Sequence, residues 1–161
     1  MATFTASEGA AEGALIGELV RKQLAETPPG DIHVFTADEG GTLVGACVFT
    51  RLVYEQDDRT VFVLAPVAVH TQYQGQGIGQ TLLRQALATL RDTRVDVAMT
   101  YGDPNYYQKL GFQPVSEENA PAPYKLQLPH GWMGQSLTDR PLSSLHGPSR
   151  CVSALQNPTF W

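Results

Sequence analysis

Three glycines fall within Gln72–Gln80 (QYQGQGIGQ), directly ahead of an amphipathic run. A helix interior does not tolerate that much glycine, so the segment reads as a loop leading into a helix. The first amides of a helix lack internal partners, and the helix dipole adds partial positive charge there. Glycines remove the side chains that would hold a bulky anion away from those donors. The chemistry this spacing supports is a main-chain cradle for a phosphate or pyrophosphate. The dinucleotide fingerprint G-x-G-x-x-G fails in both registers, because Gln80 or Leu82 stands where its last glycine belongs. No Gly-Lys-Ser/Thr follows, so this is not a nucleoside-triphosphate loop.

The elements that must position this loop are legible around it. Thr60–His70 (TVFVLAPVAVH) is β-branched and apolar, which predicts a strand buried on both faces. From Ile78 to Arg91, Ile78, Leu82, Leu83, Ala86, Leu87 and Leu90 share one helical face, with polar residues opposite. Val95–Thr100 predicts the next strand. Strand, loop, helix and strand make a βαβ unit with parallel strands and a right-handed crossover. Pro66 cannot donate to a ladder, so inside this strand it marks a bulge or a lost partner, where two parallel strands could splay; the other reading is a proline on an ordinary edge strand. Ahead of this unit, Ala14–Ala25 predicts a helix with Leu15, Ile16, Leu19, Val20 and Leu24 on its inner face. Thr27-Pro28-Pro29-Gly30 stops it. Ile32–Ala37 and Thr42–Tyr54 form a hairpin about Asp38–Gly41, and Glu55–Arg59 is a charged turn. Downstream, a short helix is expected about Asn105–Lys109, with strands at Phe112–Val115 and Tyr124–Leu128. From about residue 131 the tail shows little periodicity, apart from a turn of helix before Asn157-Pro158.

The chain has 161 residues, 42% of them hydrophobic and 17% charged, which fits one soluble domain over 1–161. A net charge of -5 argues against nucleic acid or an anionic membrane as partner. The start lacks a signal peptide's basic and apolar regions, and no apolar run approaches the ~20 residues of a membrane span. The expectation is a cytoplasmic protein. Cys47 and Cys151 make no ligand-spaced cluster, so no metal site is expected.

Gln74-x-x-Gly77-x-Gly79, following the strand ending Val67-Ala68-Val69, resembles the acyl-CoA loop of the GNAT N-acetyltransferase superfamily. Tyr107-Gln108-Lys109-Leu110-Gly111-Phe112 resembles that family's Y-x-K-x-G-F signature. The order APVAVH, GQGIG, GDPNYYQKLGF, APYKLQL is similar to its YhbS-like predicted acetyltransferases. The resemblance is specific from about Phe62 to Leu128. It implies an α/β GNAT fold, with a mixed, splayed sheet flanked by helices. It also implies acetyl-CoA as cosubstrate, with the pyrophosphate on the amides of Gln74, Gly75, Gln76, Gly77, Ile78, Gly79 and Gln80. The pantetheine arm would pair with the backbone of Val67, Ala68 and Val69 as an added strand. Dimers are frequent among the resembling proteins.

The implied reaction is direct acetyl transfer to a primary amine of a small molecule, peptide or protein. It needs a neutral amine, a donor for the thioester oxygen and a proton for the leaving thiolate. An N–H of Val67 or Val69 suits the oxygen. By resemblance Tyr107 supplies the proton; without the motif it would read as a packing aromatic like Tyr106. No base stands out. Glu55, Asp57 and Asp58 read as a solvated turn, His70 as a loop or capping residue, His33 as a strand residue and Asp103 as a helix cap. The asparagine with which the resembling enzymes contact pantetheine has no clear match; Thr100 or Asp103 occupies its region. Cys47 reads as a buried small hydrophobe. A noncatalytic acyl-CoA-binding module of the same fold is the alternative.

Overall fold

The computed structural model describes residues 10–161, with side chains from Glu18 onward apart from Thr71. Helix α1 (Ala10–Glu26) leads to the antiparallel hairpin β1 (Ile32–Glu39) and β2 (Thr42–Tyr54). Next come β3 (Val61–Val69), α2 (Ile78–Asp92) and β4 (Val97–Tyr101), then the short α3 (Pro104–Gln108), β5 (Gln113–Pro114), β6 (Trp132–Ser136) and β7 (Ser149–Cys151). The seven-stranded sheet runs β1-β2-β3-β4-β6-β5, with β7 on β2 beyond the end of β1. It is mixed: β3 and β4 are parallel, as the βαβ pattern requires, and the other pairs are antiparallel.

Alternation along each strand divides the core between the two faces. Val61, Val63 and Met99 face the side covered by α1 and the C-terminal tail, where Trp132 and Trp161 pack. Phe62, Leu64 and Ala98 face α2, where Leu83, Ala86 and Leu90 are fully buried. The even burial of α2's inner stripe matches its sequence period.

The sheet opens where Pro66 stands. The β3–β4 ladder ends at Leu64 opposite Thr100, while β3 continues to Val69 paired only with β2. Val61–Leu64 are buried and Ala65–Val69 half-buried, so β3 is covered on both faces only over its first half. The Ala65–Pro66 peptide is cis.

Three expectations need correction. Tyr124–Leu128 is not a strand; Pro121, Pro123 and Pro129 surround it and it runs as an irregular strap that buries Leu126 and leaves Leu128 exposed. The strand comes instead from Trp132–Ser136, in the tail read as aperiodic. Its first two residues are buried on opposite faces, Trp132 against one core and Met133 against the other, which removes the alternation a half-exposed strand displays. On α1, Leu24 is exposed and Gln23 takes the inner position four residues after buried Leu19, donating to the Ala65 carbonyl at 2.9 Å. The side chains of Leu15 and Ile16 lie outside the described residues.

The charged turn after β2 is more than a solvated surface. Asp57 accepts two bonds from the Arg59 guanidinium, at 2.7 and 2.9 Å, and Arg59 also donates to Ser143 and to the Ser144 carbonyl. The pair clasps the tail beside β7. Its hydrogen bonds with Arg59 hold the Asp57 carboxyl down at about 2, below its ordinary 3.8. A depressed carboxyl stabilises the fold above its unfolded value, and that stability is lost as pH falls toward 2. Asp57→Asn should therefore lower the melting temperature by several degrees at neutral pH, with the gap to wild type closing toward pH 2. Melting curves across that range check it; a constant gap would exclude this origin.

Candidate active site

The end of β3 is anchored before the loop begins. His70 N–H donates to the Val44 carbonyl at 2.7 Å, and Tyr73 N–H to the His70 carbonyl at 2.8 Å. The His70 imidazole accepts from Gln72 N–H through Nδ1 at 3.2 Å, so it serves as a loop cap. The Gln74 side-chain amide donates to the Val69 carbonyl at 3.1 Å and ties the loop back to the strand.

Gly75 and Gly77 have φ of +81° and +77°, in the left-handed region that favours glycine. Gly77 is the residue preceding α2, and the first helical bond runs from Thr81 N–H to its carbonyl at 3.0 Å. The amides of Ile78, Gly79 and Gln80 therefore have no helical acceptor.

A cleft of about 470 Å³ lies against this loop. Of the residues expected to bind, Val67, Val69, Gln74, Gly75, Gly77, Ile78, Gly79 and Gln80 line it, together with Tyr107. Ala68 and Gln76 fall outside the lining. Strand alternation turns Ala68 away, and Gln76 is an exposed side chain in the loop. Tyr73 and Tyr106 line the cleft too, and the sequence carried no signal for either beyond their being aromatic.

Tyr107 is delivered by α3. Asp103 caps this helix by accepting from Asn105 N–H at 3.0 Å, the role its position suggested. The Tyr107 ring packs on bare backbone: a Cβ on Gly102 would come within 2.8 Å of its Cε2. It meets the rings of Tyr106 and Phe112 edge-on, at 5.1 and 5.7 Å between centroids. Gly111, in the same signature, has φ of +93° and turns the chain from α3 into β5. Burial pushes the Tyr107 phenol above its ordinary value, an effect the neighbouring Thr100 side chain partly offsets. It stays protonated through neutral pH. Thr100 is fully buried on the last rung of the β3–β4 ladder.

The other candidates stand elsewhere. Glu55, Asp57 and Asp58 lie before β3, at the opposite end from the loop. His33 packs edge-on against Phe62 at 4.8 Å, on the α2 side of the sheet. Cys47 is wholly buried, and burial pushes its thiol up to about 12 and that of Cys151 to about 11. A thiol-specific reagent at pH 8 should therefore label neither cysteine in the folded protein and both after denaturation; rapid labelling of Cys47 in the native state would contradict this packing. Among the described residues, no cluster of His, Cys, Asp or Glu is placed to hold a metal ion, and no helix is long and apolar enough to cross a membrane.

A sheet splayed after Leu64, an open helix start beyond it and a tyrosine thus border one cleft. Residues 30–114 fit the family model described as the acetyltransferase (GNAT) domain. The chain belongs to the GNAT acetyltransferase family.

This GNAT chain is 38% identical over 117 residues to the uncharacterized N-acetyltransferase YjhQ of Escherichia coli, a match covering 70% of this chain and 64% of YjhQ. To the uncharacterized N-acetyltransferase YhbS of the same organism it is 30% identical over 82 residues, covering 51% of this chain and 49% of YhbS. The chain thus spans less than two thirds of the length of these curated relatives. In fold it is similar to the crystal structure of Escherichia coli YhbS in complex with CoA, with a TM-score of 0.74, 22% identity, and coverage of 97% of this chain and 84% of that one. A GNAT acetyltransferase from Brucella melitensis in complex with acetyl-CoA gives 0.71 at 22% identity, with coverage of 96% and 86%.

Proposed function

We propose that this GNAT chain is a cytoplasmic, acetyl-CoA-dependent N-acetyltransferase that acts as one domain on a primary amine. One observation carries the proposal: the unpaired amides at the start of α2 and the Tyr107 phenol line a single cleft. The amides of Gln74–Gln80 would hold the diphosphate of CoA, and the half-exposed stretch Val67–Val69, free of β4, would receive its pantetheine arm. The solved complexes of YhbS with CoA and of the Brucella melitensis protein with acetyl-CoA support CoA as the ligand by likeness of fold.

In this reading the amine nitrogen attacks the thioester carbonyl carbon. The C–N bond forms, the C–S bond breaks, and Tyr107 gives its phenolic proton to the departing sulfur; the nitrogen sheds its extra proton to solvent, and solvent returns one to the phenol. An N–H of Val67 or Val69 facing the splay would stabilise the oxygen as it gains charge. No enzyme nucleophile is required, in keeping with the buried, protonated thiol of Cys47. The chain's acidic balance, net -5, favours a cationic acceptor.

The test is release of free thiol from acetyl-CoA in the presence of a panel of primary amines. Release above the amine-free background is the expected result. Saturable CoA binding without release from any amine would mark a noncatalytic module, and absence of CoA binding would remove both readings.

A further inference from the structure

Gly79 is the second residue of α2 and one of the loop's three glycines, yet its backbone is ordinary helix. Its lack of a side chain has another cause. A Cβ built there would lie 2.7 Å from the Tyr106 hydroxyl oxygen and 3.4 Å from Val69 Cγ2. The first distance is closer than atoms approach, so the phenol oxygen of Tyr106 occupies the space that the side chain of residue 79 would take. Helical Cβ atoms tilt toward the helix N-terminus. The hydroxyl therefore sits over the start of α2, beside the amides of Ile78, Gly79 and Gln80.

From this we infer that Tyr106 is an additional anion-binding donor of the cradle, its hydroxyl supplementing the open amides at the diphosphate. The inference rests on the CoA-binding role proposed above. Three features fit it. Tyr106 lines the cleft, half-buried, with its ring held edge-on against Tyr107. No hydrogen bond to its hydroxyl is made within the described residues, so the donor is free for a ligand. Burial raises the phenol above its ordinary value, which keeps it a neutral donor beside an anion. The two adjacent tyrosines then divide the work, Tyr106 toward the phosphates and Tyr107 toward the sulfur.

The experiment is calorimetric titration with CoA and, separately, with ADP, which carries a diphosphate but no pantetheine. Tyr106→Phe should weaken both by about tenfold, the scale of one lost hydrogen bond to a charged group. Its melting temperature without ligand should match wild type. Gly79→Ala should weaken both ligands to a similar extent by driving the hydroxyl aside. In the double variant the alanine should add less than about twofold, because the ring carbon bearing the hydroxyl lies 4.0 Å from the new methyl, an ordinary contact. Wild-type affinity in Tyr106→Phe, or an alanine penalty equal in both backgrounds, would overturn the inference and leave the acetyl-CoA site standing. Loss of CoA weaker than tenfold with ADP unaffected would place the hydroxyl on the pantetheine and equally overturn it. If wild type binds neither ligand, both proposals fall.

Discussion

Tyr107→Phe should slow acetyl transfer by about a hundredfold or more, the range of a well-placed general acid, while CoA binds within about twofold of wild type. The separation follows from the side chain's two surfaces. Its ring is held by Gly102, Tyr106 and Phe112, and phenylalanine keeps all of those contacts. Only the proton donor is lost. The pH profile gives a second signature. The active form is the protonated phenol, and burial raises its pKa, so wild-type activity should decline on the alkaline side only above the ordinary phenol value of 10.0. The phenylalanine variant should lack that decline. An unchanged rate, or an unchanged alkaline limb, would take Tyr107 out of the chemistry.

Gly77→Val should weaken CoA binding by about ten- to a hundredfold. A β-branched residue with φ near +77° carries a strain of about 1–3 kcal/mol. The loop can relieve it by rotating the peptide ahead of α2, which turns the donors away from the cleft. Nothing within 4 Å would meet a Cβ at this position, so no core contact is disturbed and the ligand-free melting temperature should change little. Gly77→Ala, with a smaller side chain in the same backbone, should fall between wild type and valine. Equal affinity across the three proteins, measured by calorimetry, would mean that the loop does not hold the diphosphate.

The contrast among the glycines explains what sequence could and could not deliver. Glycines 75 and 77 are needed for backbone shape, and their spacing ahead of an apolar helix announces that need. Gly79 is needed because a tyrosine more than twenty residues later fills its side-chain volume, a relation no local pattern encodes. For the same reason Tyr106 read as a packing aromatic. The βαβ unit was legible because the first half of β3 and the inner face of α2 each bury a continuous apolar surface. The strap at Tyr124–Leu128 misled because alternating Tyr, Leu and Leu mimic a strand, although neighbouring prolines deny it a ladder. Gln23 on α1 was invisible as a core residue since its burial depends on the Ala65 carbonyl, on a different element.

The position of β6 decides which borders of the sheet are closed. It lies between β4 and β5, and among the described residues β5 has no other neighbour in the sheet. The segment matching the family model ends at residue 114, before any of β6 has appeared. Without Trp132–Ser136, β4 would keep one open edge and β5 would have no strand to pair with among the described residues. The segment that fits the family model is thus a sheet with an unpaired border, and a strand from beyond that segment covers it.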